Sequence, residues 1–424
     1  MKSKSLKSFI KVGIFVLACL MLITMFFGCV PDDDTDEGPL ENEPVQNTEL
    51  SPIFKTKEIK GGLAITGIKD SYSSDTVDIP ETIKEYQVIE IADEAFEENV
   101  KIKTVNIPKS VKRINEEAFH ECTNLETVNF AEGSRLEFIG EDAFSESGIK
   151  NITLPDSVTT IWYYAFFDCK NLTSINIPAA LSWVQYGFIG YNNLTEIKLP
   201  TDSDFVVENG ILYNKDKTEI VSLLGGIGIS EYTMPDSVEI VHDYAFAGSD
   251  LSKIQFSNHL HRIKWGAFEN CKKLTSIHLP PSLRSVGADA FKDCEKLQYV
   301  LFESEVVPDL GWNIFDGNAA GRKIYVPGVA KHDYLSNERL EEYRFGGVRV
   351  ITSKIYFETN GGEEIEPMDA EYNNGITLPT PKKAGYVFNG WFFDEELTDR
   401  FYSSRWYADS DTTLYAGWIP TSLS

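Results

Sequence analysis

Ala118-Phe119-His120-Glu121-Cys122-Thr123-Asn124-Leu125-Glu126-Thr127-Val128-Asn129-Phe130 decides the fold, because its pattern returns along most of the chain. Generalised as A-F-x-x-C-x-x-L-x-x-I-x-L-P-x-S-V-x-x-I, it sets phenylalanines at Phe96, Phe119, Phe144, Phe166, Phe188, Phe246, Phe268, Phe291 and Phe315. The intervals are 23, 25, 22, 22, 58, 22, 23 and 24, so only the fifth breaks the rhythm. A repeat of this length, with apolar residues at fixed offsets, is the signature of a solenoid. Each unit is one coil, too small to bury its own core and stabilised by the coils on either side.

Within a unit, Leu172-Thr173-Ser174-Ile175-Asn176-Ile177-Pro178 reads as a short strand stopped by proline, which has no amide to donate. A second run, as in Ser157-Val158-Thr159-Thr160-Ile161, leads into the Ala-Phe corner. The expected fold is a β-rich leucine-rich-repeat solenoid with short strands and irregular turns over residues 51–351. Ser51 to Gln87 reads as an entry cap, and Arg322 to Ile351, with a short amphipathic helix over Lys331 to Tyr343, as an exit cap. In the long interval, turn signals at Asn209-Gly210 and Asn214 to Lys217 predict a hairpin insertion at about 205–229.

Taken together, Pro-x-Ser-Val-x-x-Ile, Ala-Phe-x-x-Cys and Leu-x-x-Ile-x-Leu-Pro resemble the BspA-like leucine-rich repeats of bacterial surface proteins. The resemblance implies an extracellular protein that adheres to host matrix proteins, to other bacteria or to innate-immune receptors. Residues 352–420 have a different texture, with strand-like runs at Ile355-Tyr356-Phe357, Ile376-Thr377-Leu378, Tyr386-Val387-Phe388 and Thr413-Leu414-Tyr415-Ala416. There Phe357-x-x-Asn360-Gly361-Gly362, Leu378-Pro379-x-Pro381, Gly385-Tyr386-x-Phe388-x-Gly390-Trp391 and Leu414-Tyr415-Ala416-x-Trp418 resemble the Listeria–Bacteroides repeat of internalin B. Gly417 stands where that family often carries a charge. The resemblance implies a small separate β-rich, β-grasp-like domain, in which Trp391 and Trp418 serve either as core or as a ligand platform.

At the other end, Lys2, Lys4, Lys7 and Lys11 precede an apolar run from Val12 to Phe27, the layout of an export signal over residues 1–28. Phe26-Phe27-Gly28-Cys29 resembles a bacterial lipobox, which implies lipidation at Cys29 and a lipid-anchored protein at the cell surface. An uncleaved signal anchor is the alternative, because the run is just short of spanning a bilayer. Residues 29–50 read as an acidic tether: Val30 to Leu50 holds eight carboxylates and no basic residue, too little apolar surface to fold on.

The 424-residue chain carries a formal charge of −26, which argues against nucleic acid as a ligand and leaves the lipid anchor as the expected membrane contact. No H-E-x-x-H, G-x-S-x-G or phosphate-cradling glycine loop occurs, so neither an enzyme nor a cofactor or metal site is expected. Cys122, Cys169, Cys271 and Cys294 each follow a repeat phenylalanine by three residues and are expected to be free, buried thiols.

The expected function is cell-surface binding or adhesion by a monomer, with an extracellular protein or glycan as partner. A non-catalytic envelope spacer is the alternative. Two sets of residues are candidates for contact. One is the outward position of the repeat strands, including Asn129 and Asn176. The other lies just before the corners, where outer coils carry Asp93-Glu94, Glu116-Glu117 and Glu141-Asp142. Central coils there substitute Tyr163-Tyr164, Gln185-Tyr186, Asp243-Tyr244 and Trp265-Gly266, with Trp162 adjacent. Trp162, Tyr163, Tyr164, Tyr186, Tyr244 and Trp265 thus form either an exposed aromatic patch or packing beneath the inserted hairpin.

Overall fold

Phe119 shows how one coil is held to the next. Its amide donates to Ala143 O at 2.8 Å, while the amides of Glu117 and Glu121 donate to Glu141 O and Ser145 O at 2.9 and 3.0 Å. Glu117 and Glu121 are left-handed, with φ of 52° and 53°, and the same two places are left-handed in coil after coil. Alternating backbone hands turn every second amide toward the following coil. The phenylalanine rings stack accordingly: Phe96, Phe119 and Phe144 lie 5.0 and 5.1 Å apart and within 3° of parallel. That separation is close to the ~4.8 Å between neighbouring strands, so one side chain per coil builds a continuous column.

The computed structural model describes residues 50–181, 184–185, 187–341, 348–350, 352–408 and 410–421. The export signal, Cys29, the tether up to residue 49, Trp183 and Tyr186 lie outside the described residues. Entry is by an antiparallel hairpin, Phe54–Ile59 with Gly62–Ile68. Each coil then adds a short parallel strand to two ladders. Thr104–Ile107 and Thr127–Phe130 pair in one, and Arg113–Ile114, Phe138–Ile139 and Thr160–Ile161 in the other. Leu-, Ile-, Val- and Phe-rich faces of both ladders, with the four free cysteines, fill the core between them.

The middle of the array departs from the sequence pattern in two ways. Phe166 N donates to Phe188 O at 2.7 Å, the bond that Phe119 makes to Ala143. Phe188 therefore stands in the alanine place and Ile189 in the phenylalanine place, one residue from the expected register. Gly187 and Tyr191, with φ of 65° and 53°, flank Ile189 as Glu117 and Glu121 flank Phe119. Glycine at a left-handed position fixes this register where two adjacent large apolar residues leave it open.

Beyond it, Phe205–Glu208, Ile211–Asn214 and Glu219–Leu223 form an antiparallel meander. The third strand then pairs in parallel with Ile240–Val241, as any coil strand does. The added piece is thus the first hairpin, and Glu219 onward is a coil whose corner is two residues short. Leu223, three residues past Ile220, makes the amide bond to Ala245 O (2.7 Å) that elsewhere belongs to a residue five past the equivalent position.

The exit coil carries Lys331–Ser336 and a single helical turn, Glu338–Glu341, and Val348–Val350 extends the strand ladder. The C-terminal module has its own core of Ile355, Ala370, Trp391, Trp406, Leu414 and Ala416. In its four-stranded sheet, Thr352–Glu358 and Thr412–Pro420 run parallel in the middle, with Met368–Glu371 and Tyr386–Phe392 antiparallel at the edges. Ile376 to Leu378 is not a strand, contrary to its apolar pattern. Pro379 and Pro381 follow it, and the segment is held instead by bonds from Ile376 N to Ser404 O and from Trp391 Nε1 to Pro379 O. Trp391 is core.

Candidate ligand-binding site at the short coil

A corner two residues short leaves a notch between the corners on either side of it. Asn192 repairs the backbone at its base. It occupies the place that cysteine holds in other coils, and its Nδ2 donates to Ile189 O (2.7 Å) and Leu223 O (3.0 Å). Its Oδ1 accepts from the amides of Leu194 and Gly225, both at 3.0 Å. A thiol could not satisfy donors and acceptors together in this way.

Aromatic rings close the rest of the notch. Tyr164 meets Tyr244 at 5.7 Å between ring centroids, Phe167 meets Tyr244 at 5.0 Å, and Tyr191 meets Phe167 at 5.4 Å. Three glycines make room. A β-carbon at Gly187 would sit 2.8 Å from the Tyr164 ring, one at Gly248 2.8 Å from Tyr191, and one at Gly266 2.4 Å from Tyr244. Burial raises the pKa of the Tyr164, Tyr191 and Tyr244 hydroxyls, with nearby carboxylates adding to the effect at each.

The structure thus joins Trp162, Tyr163, Tyr164, Tyr244 and Trp265 in one chain of ring contacts. Their exposure is unequal. Tyr164 and Tyr244 are largely covered, whereas Trp162 is 40% and Trp265 38% exposed. Trp162 rests edge-on against Phe138 at 5.6 Å, and Trp265 Nε1 donates to Asp289 Oδ2 at 2.9 Å. Phe167, Tyr191 and Asn192 were not among the sequence candidates. Their signal was the off-rhythm interval beside them, read as an insertion rather than as a loss.

On the solvent side the notch opens into a groove of about 700 Å³. Its floor is Phe167 and Tyr191, and its rim carries Asp168, Lys170, Asp250, Asn270, Lys272 and Lys273. Lys170 pairs with Asp168 at 3.0 Å, Lys273 with Asp250 at 2.9 Å and Lys272 with Glu295 at 2.9 Å.

The strand candidates lie elsewhere. Asn129 Nδ2 donates to Asn106 Oδ1 at 2.8 Å, and Asn106 in turn to Asp78, an amide ladder along exposed strands. Asn176 grips the neighbouring coil, accepting from Leu154 N at 2.6 Å and donating to Leu154 O at 2.9 Å. Leu301, at the same strand position, is buried. Among the described residues, His120-Glu121-Glu146 and Glu94-Glu97-Glu117 bring possible ligand atoms within 4.8 Å, but both are parts of the acidic ridge of the outer coils and nothing else there points to a cation.

A family model described as the BspA type leucine-rich repeat region matches residues 89–218 and 225–338 in six copies. The chain belongs to the BspA-type leucine-rich repeat family. The interruption between the two matched stretches coincides with the short corner. A Listeria-Bacteroides repeat domain model matches residues 354–417. Among solved structures, a leucine-rich repeat protein from Eubacterium ventriosum is 21% identical with a TM-score of 0.54, over 73% of this chain and 86% of that one. The pneumococcal vaccine antigen PcpA is 22% identical with a TM-score of 0.52, over 66% of this chain and 80% of that one. Both share the fold of this chain.

Two relatives from Evansella cellulosilytica carry names describing membrane proteins. One, named as Gly-rich, is 33% identical over 132 residues, and the other is 40% identical over 82. The matches span 28% and 19% of this chain but only 15% and 12% of those relatives' lengths. Membership of the BspA-type leucine-rich repeat family points to protein binding or adhesion in general, without a particular ligand. Among the described residues, no helix is long and apolar enough to cross a membrane.

Proposed function

We propose that this chain is a lipid-anchored bacterial surface protein, held through Cys29, whose solenoid captures an extracellular protein or glycan at the short coil. One observation carries the reading. Outer coils present carboxylates before their corners, and the ridge changes to Trp162, Tyr163, Tyr164, Tyr244 and Trp265 where the coil shortens. Aromatic side chains with one covered and one exposed edge are the usual anchors of recognition surfaces. The acidic remainder of the molecule keeps it soluble and repels polyanions.

The test is a capture panel, with the full chain displayed on cells or immobilised against matrix proteins, glycans and whole bacteria. Trp162→Ala with Trp265→Ala is expected to reduce capture at a temperature where circular dichroism shows the double variant still folded, the lost contacts to Phe138 and Asp289 lowering its melting temperature only in part. An envelope spacer would capture nothing in any arm. Replacing Cys29 by Ala is expected to abolish incorporation of a labelled fatty acid and release the protein from the membrane fraction.

A further inference from the structure

We propose that the groove above the short coil binds one uncharged pyranose unit of an extracellular glycan, stacked on Tyr191 in the angle that its ring makes with Phe167. The inference rests on the surface-binding reading above and narrows it to one ligand class and one place.

Size comes first. At about 700 Å³ the groove is of ordinary size for a small-molecule site.

The lining gives the chemistry. Tyr191 and Phe167 supply two apolar walls, their ring centroids 5.4 Å apart and their planes 76° apart, so a flat ring that stacks on one meets the other edge-on. Tyr191 is fixed there, because its hydroxyl accepts from Asn270 Nδ2 at 2.7 Å, so little freedom is lost on binding. Around these walls the rim alternates acceptors and donors, and Lys170, Lys272 and Lys273 each already face a carboxylate. A rim of neutralised pairs has no surplus charge for an acidic ligand. It suits hydroxyl groups, which donate to Asp168 and Asp250 while accepting from the lysines. The pyranose combines both requirements, with C–H bonds on its face and hydroxyls at its edge.

The experiment is saturation-transfer NMR on the full chain with the methyl glycosides of glucose, galactose, mannose and N-acetylglucosamine, and with methyl glucuronide as the acidic counterpart. At least one neutral glycoside is expected to bind, with transfer strongest at its ring C–H protons. Tyr191→Leu is expected to weaken that binding about tenfold, and Tyr191→Phe to keep it within a few-fold, since stacking outweighs the hydroxyl. Should Tyr191→Leu unfold the coil, Asp250→Ala serves instead: it lies on the exposed rim and is expected to weaken binding at unchanged melting temperature. No binding by any neutral glycoside, stronger binding of the glucuronide, or binding that survives both Tyr191→Leu and Asp250→Ala overturns the proposal. Whole-cell and matrix capture is measured in parallel. Capture without glycoside binding removes the glycan assignment and keeps the surface-binding reading, whereas absence of both removes both.

Discussion

Tyr191 spans the short coil to reach Asn270, 79 residues further along the chain, and accepts its side-chain amide at 2.7 Å. The ring passes directly over Gly248 on the way. This tie crosses the shortened corner, where Leu223 N keeps its bond to Ala245 O but two corner residues are missing, so the tyrosines supplement a reduced main chain.

That role makes the glycines beneath the rings sensitive. Gly266→Ala places a β-carbon 2.4 Å from Tyr244 Cε1, at a φ of 54°. Gly133→Ala, at a φ of 70°, meets nothing within 4 Å. Both lose the freedom of glycine in the left-handed region, about 1 kcal/mol. Only the first adds overpacking, for a total of about 2–4 kcal/mol. Urea unfolding of the two variants should show that difference, and equal losses would mean that the Tyr244 ring simply moves aside.

Asn192 leads to a second expectation, against the repeat consensus. Restoring cysteine leaves the Gly225 amide without its partner at the base of the notch and Leu223 O with the Ser222 hydroxyl in place of two donors. Each lost bond to a covered backbone group costs about 1–3 kcal/mol. Asn192→Cys is therefore expected to destabilise by about 2–4 kcal/mol, and to speed amide hydrogen exchange at Gly225 more than at Leu125, four coils away on the intact side.

How much of this could be read beforehand follows from the same residues. The Phe96–Phe119–Phe144 column was legible because a coil repeats its side chain at each ~4.8 Å step. Register around Phe188 was not, because Phe188-Ile189 offers two equivalent apolar residues and only the glycine's backbone hand separates them. The notch was hidden for another reason: a coil lacking its phenylalanine looks like an insertion when phenylalanines are counted. Trp162 and Trp265 were picked out by contrast with an acidic ridge, whereas Tyr191 follows its corner rather than preceding it and so fell outside that comparison.

The acidic ridge itself gives a pH dependence. Burial, reinforced by Asp142, Glu116 and Glu117, raises the Glu141 pKa from 4.5 to about 7, and Glu97 and Glu116 are raised in the same way. A carboxyl whose folded pKa lies above its unfolded value holds its proton more tightly in the folded state. Its contribution is fully present below pH 4.5 and is lost as pH rises through about 7. Glu141 is only half-buried, so solvent screening reduces its effect to about 1 kcal/mol. The protein should melt higher at pH 5 than at pH 8. Glu141→Gln should raise the melting temperature at pH 8 and have little effect at pH 4.5; an equal effect at both would assign the change to packing.

The four thiols can report whether the short coil divides the solenoid energetically. Cys122 and Cys169 lie in the hydrophobic cluster before it, and Cys271 and Cys294 in the cluster after it. Burial pushes the thiols of Cys122 and Cys169 up to about 12, and Cys294 is raised as well, with its neighbour Cys271 the leading cause. Thiolate is the reactive form, so labelling by an alkylating reagent near pH 8 requires unfolding. In a linear array, stability is a sum of nearest-neighbour interfaces, and unfolding separates where an interface is weakest. Here that interface lacks two corner residues and relies on Asn192 and the tyrosines in their place. With increasing urea, Cys122 and Cys169 are expected to become reactive at one midpoint and Cys271 and Cys294 at another. Tyr191→Leu should widen the gap between the midpoints, because it removes the tie to Asn270 without touching either column of phenylalanines. If all four thiols react at a single midpoint in both proteins, the rings couple the two halves as strongly as an ordinary corner does, and the short coil is no weak point.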